Sequence, residues 1–161
     1  MGTVQATPNS GAVRRRTGGR KRAAPKVSAA QLRDLLDRSM AEVDADDQAG
    51  SHLRATGLRA RLRVVDLGLV LDVEPSEEGD HHLRWTFSES ADRKPNLELI
   101  MDSQAANAYL QGRESLAIAM ARNRVRCKGE ARSALLYLPA MRVVVDVYRR
   151  LVRSDYPELV V

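Results

Sequence analysis

Residues 115–140 read SLAIAMARNRVRCKGEARSALLYLPA. An apolar run, 115–121, gives way to the alternation Arg124, Val125, Arg126, Cys127, Lys128, then to Gly129 and a second apolar run interrupted by Pro139. Alternation at period two marks a strand with one buried face, whereas the flanking runs have helical composition. The stretch therefore predicts helix, strand, turn and helix in 26 residues. Val125 and Cys127 point inward, and Arg124, Arg126 and Lys128 outward. "ESLAIAMAR" is apolar almost all round, so a deeply buried helix is expected. Pro139 suits the first turn of a further helix, in which Met141, Val144, Val145, Tyr148, Leu151 and Val152 form an apolar stripe. Arg142, Asp146, Arg149, Arg150 and Arg153 face the other way. No side chain in the unit is an obvious catalyst.

Upstream, Ser28 is an N-cap for "AAQLRDLLDRSMAEV", where Leu32, Leu35, Leu36, Met40 and Val43 share one helical face. Residues 44–57 read as a helix end and a polar connection. Period two follows: Leu58, Ala60, Leu62 and Val64 alternate with Arg59, Arg61 and Arg63. Gly68 permits a tight connection to Leu69, Leu71 and Val73. "SEEGD" is hairpin chemistry leading to Leu83, Trp85 and Phe87, "ESADRKPN" is a loop, and Leu97, Leu99 and Met101 complete a fourth strand. Asp102 or Ser103 caps a helix that stops at Gly112. The expectation is an α+β domain: a five-stranded, largely antiparallel sheet covered on one face by about five helices.

The 161 residues carry a net charge of +5, which is unevenly spread. Residues 1–27 hold seven basic side chains and no acid, and residues 28–161 hold 19 basic and 21 acidic ones. The division expected is a disordered basic tail, 1–27, and a single domain, 28–161. "RRRTGGRKR" offers weak contact to an anionic membrane or to nucleic acid, although no aromatic residue stands among the arginines to stack on bases. Cys127 is the only cysteine, so no intrachain disulfide forms, and no apolar run is long enough to cross a membrane. These features point to the cytoplasm.

Catalytic constellations are missing from the pattern. His52 stands in the connection, and His81 and His82 are strand neighbours that point to opposite faces, which does not suit one shared metal. Asp66 and Asp72 read as solvated strand-end acids. No phosphate-cradling glycine loop or nucleophile elbow occurs. The expectation is a protein that is not an enzyme and needs no cofactor.

The ordered succession "AIAMARNRVRCKGEARSALLYLP", preceded by "LRWTFS" and "NLELIMDSQAANAYLQGRESL", resembles the sterol carrier protein type 2 domain over residues 58–152. Asn123 stands where that family often has Gly, and Asn tolerates the left-handed backbone. Glu130 stands for a common Asp. The resemblance implies an apolar tunnel between sheet and helices, binding a lipid-like ligand such as a sterol, a fatty acyl chain or an isoprenoid. It also implies that Trp85, Phe87, Leu99, Met101, Leu110, Ile118, Met120, Met141, Val145 and Tyr148 line that tunnel. Periodicity places each of them inward; only the resemblance makes the interior a tunnel. Two alternatives stay open: an accessory module with a filled core that docks a protein partner, and nucleic-acid association through the tail.

Overall fold

The computed structural model describes residues 25–88 and 93–161; the tail expected over 1–27 lies outside them up to residue 24, as does part of the loop after Phe87. The chain opens with α1 (Ala29–Ala45) and α2 (Asp47–Ala55), followed by β1 (Ala60–Val64), β2 (Leu69–Pro75), β3 (Leu83–Thr86) and β4 (Leu97–Met101). It continues with α3 (Ser103–Leu110), α4 (Leu116–Ala121), β5 (Val125–Gly129) and α5 (Ala131–Asp155), and ends in a 3-10 turn, Pro157–Leu159. The sheet order is β3-β2-β1-β4-β5. Neighbours pair antiparallel except β1 and β4, which run parallel. The architecture is α+β, with a mixed open sheet.

Register follows the apolar alternation. Leu62 lies between Leu71 and Leu99, and Val64 between Leu69 and Met101, with Val125 beyond Met101. A slip of one residue would turn all of these side chains to the other face. That other face carries the arginines. Arg61 grips Asp72 with its Nε and Nη2 at 2.6 and 2.8 Å, and Arg63 reaches Glu98 at 3.1 Å. Asp72 is thus an ion-pair partner rather than a solvated strand-end acid. Asp66 is not free either: its carboxylate accepts from the Ser103 N–H and hydroxyl at 2.7 and 2.6 Å. It supports the start of α3 together with the cap Asp102, which accepts from the Ala105 N–H.

Ser28 caps α1 as expected, in a reciprocal box with Gln31. Its stripe of Leu32, Leu35, Leu36, Met40 and Val43 is buried, and Val27, just before the cap, is buried too. Three local expectations need correction. Residues 44–57 are not merely a connection: Asp46 accepts from the Gln48 and Ala49 N–H groups and starts α2, which brings His52 onto a helix. Pro139 does not begin a new helix. It lies inside the 25-residue α5, where it removes one N–H from the ladder; buried Tyr137 and Ala140 beside it and the packed residues from Val144 onward hold the helix together. Finally, α4 is not deeply buried. With only six residues it turns Leu116 and Ala119 inward and leaves Ile118 and Met120 exposed.

The strand–turn at the centre of the opening stretch depends on backbone conformation. Asn123 has φ 58°, so the left-handed turn before β5 forms with Asn. Gly129 has φ 137°, and a Cβ there would fall 2.1 Å from the Asn96 carbonyl oxygen. Both the angle and the space therefore demand glycine. Glu130 precedes α5 without making a side-chain cap.

Candidate functional site

An apolar cavity of about 80 Å³ lies between the inner sheet face and the helices. Leu36 and Met40 of α1 and Leu53 of α2 form one wall. Leu62, Leu71 and Val73 form the floor, and Tyr109, Leu110, Tyr137, Ala140, Met141 and Val144 close it from α3 and α5. These positions meet because α1 presents its i, i+4 pair Leu36 and Met40, and α5 its Tyr137, Ala140, Met141 and Val144, to the same patch of strands. Burial pushes the Tyr137 phenol well above its ordinary range, helped by its hydrogen bond to Tyr109. Burial raises the Tyr109 phenol as well, opposed by the same bond. The two hydroxyls therefore stay neutral at physiological pH, so the cavity wall carries no charge from this pair.

The ten residues singled out by resemblance are distributed as follows. Leu110 and Met141 line the cavity. Leu99, Met101 and Tyr148 are buried in the core outside its lining. Tyr148 donates to Asn107 Oδ1 at 3.1 Å, and Asn107 and Gln111 donate to the Leu159 carbonyl at 2.9 and 2.8 Å, which fastens the C-terminal turn onto α3. Trp85 is half-buried against the core and donates its indole N–H to Asp37 at 2.8 Å. Phe87 carries the Arg33 guanidinium 4.8 Å above its ring. Ile118 and Met120 are on the surface. Val145 lines a separate open cleft. Leu36, Met40, Leu53 and Tyr137 were not singled out, although the α1 stripe and the i−4 relation of Tyr137 to Met141 are legible in the sequence.

That cleft, of about 440 Å³, runs between the start of α4 and the middle of α5, lined by Ser115, Leu116, Leu138, Arg142 and Val145 among others. It shares Tyr109 and Met141 with the internal cavity. These two side chains border both spaces. Gly112 lets the chain pass close to α5 here: a Cβ there would lie 3.2 Å from Val145 Cγ1.

Charged groups elsewhere have structural duties. The Asp44 carboxylate accepts from the backbone N–H groups of His82 and Leu83 at 2.7 and 2.8 Å and faces His81 Nδ1 at 2.7 Å. Burial pushes this carboxyl up, but those hydrogen bonds outweigh it and hold it below its ordinary range. The His81 imidazole is raised, chiefly by the hydrogen bond to Asp44. His82 Nε2 is 3.4 Å from Asp47. Among the described residues, no group of three His, Cys, Asp or Glu side chains is placed to hold a metal ion. Cys127 is half-buried and free, its thiol raised by burial, so it is a poor nucleophile.

An open mixed sheet, helices over one face and an apolar cavity between them can be set beside solved structures. A conserved hypothetical protein from Thermus thermophilus, described as a candidate sterol carrier protein, matches over 80% of this chain and 95% of its own, with TM-score 0.54 at 14% identity. The sterol carrier protein domain 2 of Helicoverpa armigera matches over 70% and 87%, with TM-score 0.51 at 13% identity. The fold is that of the sterol carrier protein 2 domains. A double mutant of the sec-alkyl sulfatase PisA1 also matches, with TM-score 0.51 at 11% identity over 71% of this chain. The chain spans about one sixth of that enzyme's length, 16%. No family model matches the chain, and no curated protein matches it in sequence. Among the described residues no helix is long and apolar enough to cross a membrane.

Proposed function

We propose that this protein is a non-catalytic carrier of a slender apolar molecule, an acyl or isoprenoid chain or a sterol, held between the sheet and the helices. The observation that carries the reading is the apolar cavity and the two side chains, Tyr109 and Met141, that it shares with an open cleft. Ligand pockets commonly reach about 300 Å³ or more, so the cavity of about 80 Å³ takes a ligand by parting these two side chains, a partition whose movement joins cavity to cleft. Met141 is suited to that movement, being unbranched and adaptable, and Pro139 lies two residues before it in a helix already short of one hydrogen bond. Leu110 and Met141 contact the chain of the ligand, and Val145 flanks the mouth. Leu99, Met101 and Tyr148 back the wall, and Trp85, Phe87, Ile118 and Met120 serve only a cavity enlarged beyond this outline. Binding is driven by desolvation, at about 25 cal/mol per Å² of apolar surface before ordering costs. The working location is the cytoplasm, where the basic tail supplies weak attraction to anionic surfaces.

Native mass spectrometry of the purified full chain, with solvent extraction of anything carried along, tests the reading. A stoichiometric lipid that is lost in Ala140→Phe, which fills the cavity, supports it. A bare protein mass after incubation with palmitate, cholesterol and a polyprenol overturns it; the domain is then a filled scaffold for a protein partner.

A further inference from the structure

α4 and the first half of α5 leave more large apolar side chains outside than a helix that only packs against its own domain needs. Along α5, Ser133, Tyr137 and Ala140 are buried, while Arg132, Leu135, Leu136, Leu138 and Arg142 share the outer face. Leu135 is 72% exposed, Leu138 47%, Ile118 48% and Met120 42%. With Leu136, these make five of the seven large apolar side chains that stand exposed among the described residues. Leu135, Leu136 and Leu138 share one face of α5, and an exposed apolar patch of this kind marks an interaction site.

The charge of the same segment identifies the occupant. Residues 113–142 carry seven basic and two acidic side chains, whereas the rest of 28–161 carries twelve basic and nineteen acidic ones. The rest of the domain is thus net acidic and this segment net basic. Of these basic side chains, Arg132 and Arg142 share the outer face of α5 with the leucines, while Arg122 and Arg124 pair with Glu114. Apolar side chains flanked by arginines on one face suit a helix lying in the headgroup layer of an anionic bilayer: the apolar groups enter the acyl boundary, and the guanidinium groups bind lipid phosphates. We propose that the shoulder formed by α4 and residues 131–142 of α5 seats this protein on an anionic lipid bilayer. Seated in this way, the cleft between Leu116, Leu138 and Arg142 opens at the membrane surface. Docking of this kind does not require the cavity to hold a ligand and goes beyond the carrier reading.

The test is flotation of the full chain with vesicles of phosphatidylcholine alone and of phosphatidylcholine with about 30 mol% phosphatidylglycerol, on the order of physiological salt. The variants are Leu135→Ser/Leu136→Ser and, as a control for general loss of exposed apolar surface, Val65→Ser. All of the substituted positions are exposed, so thermal melts of both variants should stay close to that of the parent. The proposal expects preferential binding to the anionic vesicles, weakened at least tenfold by Leu135→Ser/Leu136→Ser and unchanged by Val65→Ser. Equal binding by the parent and the double variant overturns it, because the tail alone then accounts for the attraction. Failure of the parent to bind either vesicle overturns it as well and points to an acidic protein partner for the shoulder. A lipid retained in native mass spectra without vesicle binding removes this proposal and leaves the carrier reading standing. Vesicle binding by a protein that carries no lipid does the reverse.

Discussion

The two halves of α5 belong to one uninterrupted helix yet have opposite surroundings. From Val144 onward the helix behaves as expected of a domain core: Val144, Tyr148, Leu151 and Val152 are buried, and Asp146, Arg149 and Arg150 lie on the other side. Arg150 pairs with Glu42 and Asp155 with Arg38, clamping this half onto α1. Before Pro139, small or polar Ser133 and the cavity-facing Tyr137 are what the helix turns inward, and leucines are what it turns out. Helical continuity alone therefore says little about which face of a segment is committed to the fold. One half is fixed by the core; the other is shared between a cavity and the surface.

The largest expected contrast is in stability. Leu151→Ala removes a fully packed side chain and should cost about 2–5 kcal/mol in urea unfolding, whereas Leu135→Ala should stay within about 0.5 kcal/mol. Similar losses at both positions would break the comparison, because they would mean that the outer leucines are packed in solution. Next comes Pro139→Ala. Restoring a helix-forming residue and its N–H should stabilise the chain by about 1–3 kcal/mol and slow amide exchange over residues 131–142 more than over 143–155. If opening at the partition needs this weak point, the same variant should also take up ligand more slowly. A smaller effect, about 0.5–1.5 kcal/mol, is expected for Tyr148→Phe. It removes one donor from Asn107 Oδ1 but leaves the Gln111 amide, which donates to the same oxygen at 2.9 Å.

How legible all this was in the sequence depended on whether a signal was local. Alternation placed all five strands, and Leu62, Leu99 and Cys127 lie side by side on the inner face. The Ser28 cap was equally plain. The parallel pairing of β1 with β4 was not legible, because it depends on where the chain returns after a long excursion through β2 and β3. Residues 115–121 misled for another reason. An all-round apolar segment reads as buried when packing is the only use of apolar surface, and Ile118 and Met120 have no interior left to fill once Leu116 and Ala119 have seated the short helix. The continuous α5 was hidden by Pro139, a breaker by propensity whose cost is outweighed by tertiary contacts. For the cavity, the sequence placed Leu110 and Met141 inward. Leu36 and Met40 were visible as core, but their role as a wall depends on how far α1 stands off the sheet.

The smallest expected effect serves as a control on the comparison, because its titrating pair lies away from both halves of α5, where residues 81–83 meet Asp44 at the end of α1. The His81 imidazole is raised by its hydrogen bond to Asp44, so its contribution is fully present below the ordinary imidazole range and is lost as pH rises through the raised value. Asp44 is held low by the same bond and by two backbone N–H groups, after burial has opposed them. Its contribution is present above the ordinary carboxylate range and is lost as pH falls through the lowered value. Thermal melts of the parent and His81→Ala should therefore differ most in mildly acidic buffer, between these two limits, and converge in alkaline buffer. The gap between Leu151→Ala and Leu135→Ala should stay constant across that window. If it narrows in step with the His81 titration, the two halves of α5 are not independent of this corner, and their contrast reflects the overall stability of the domain rather than their own surroundings.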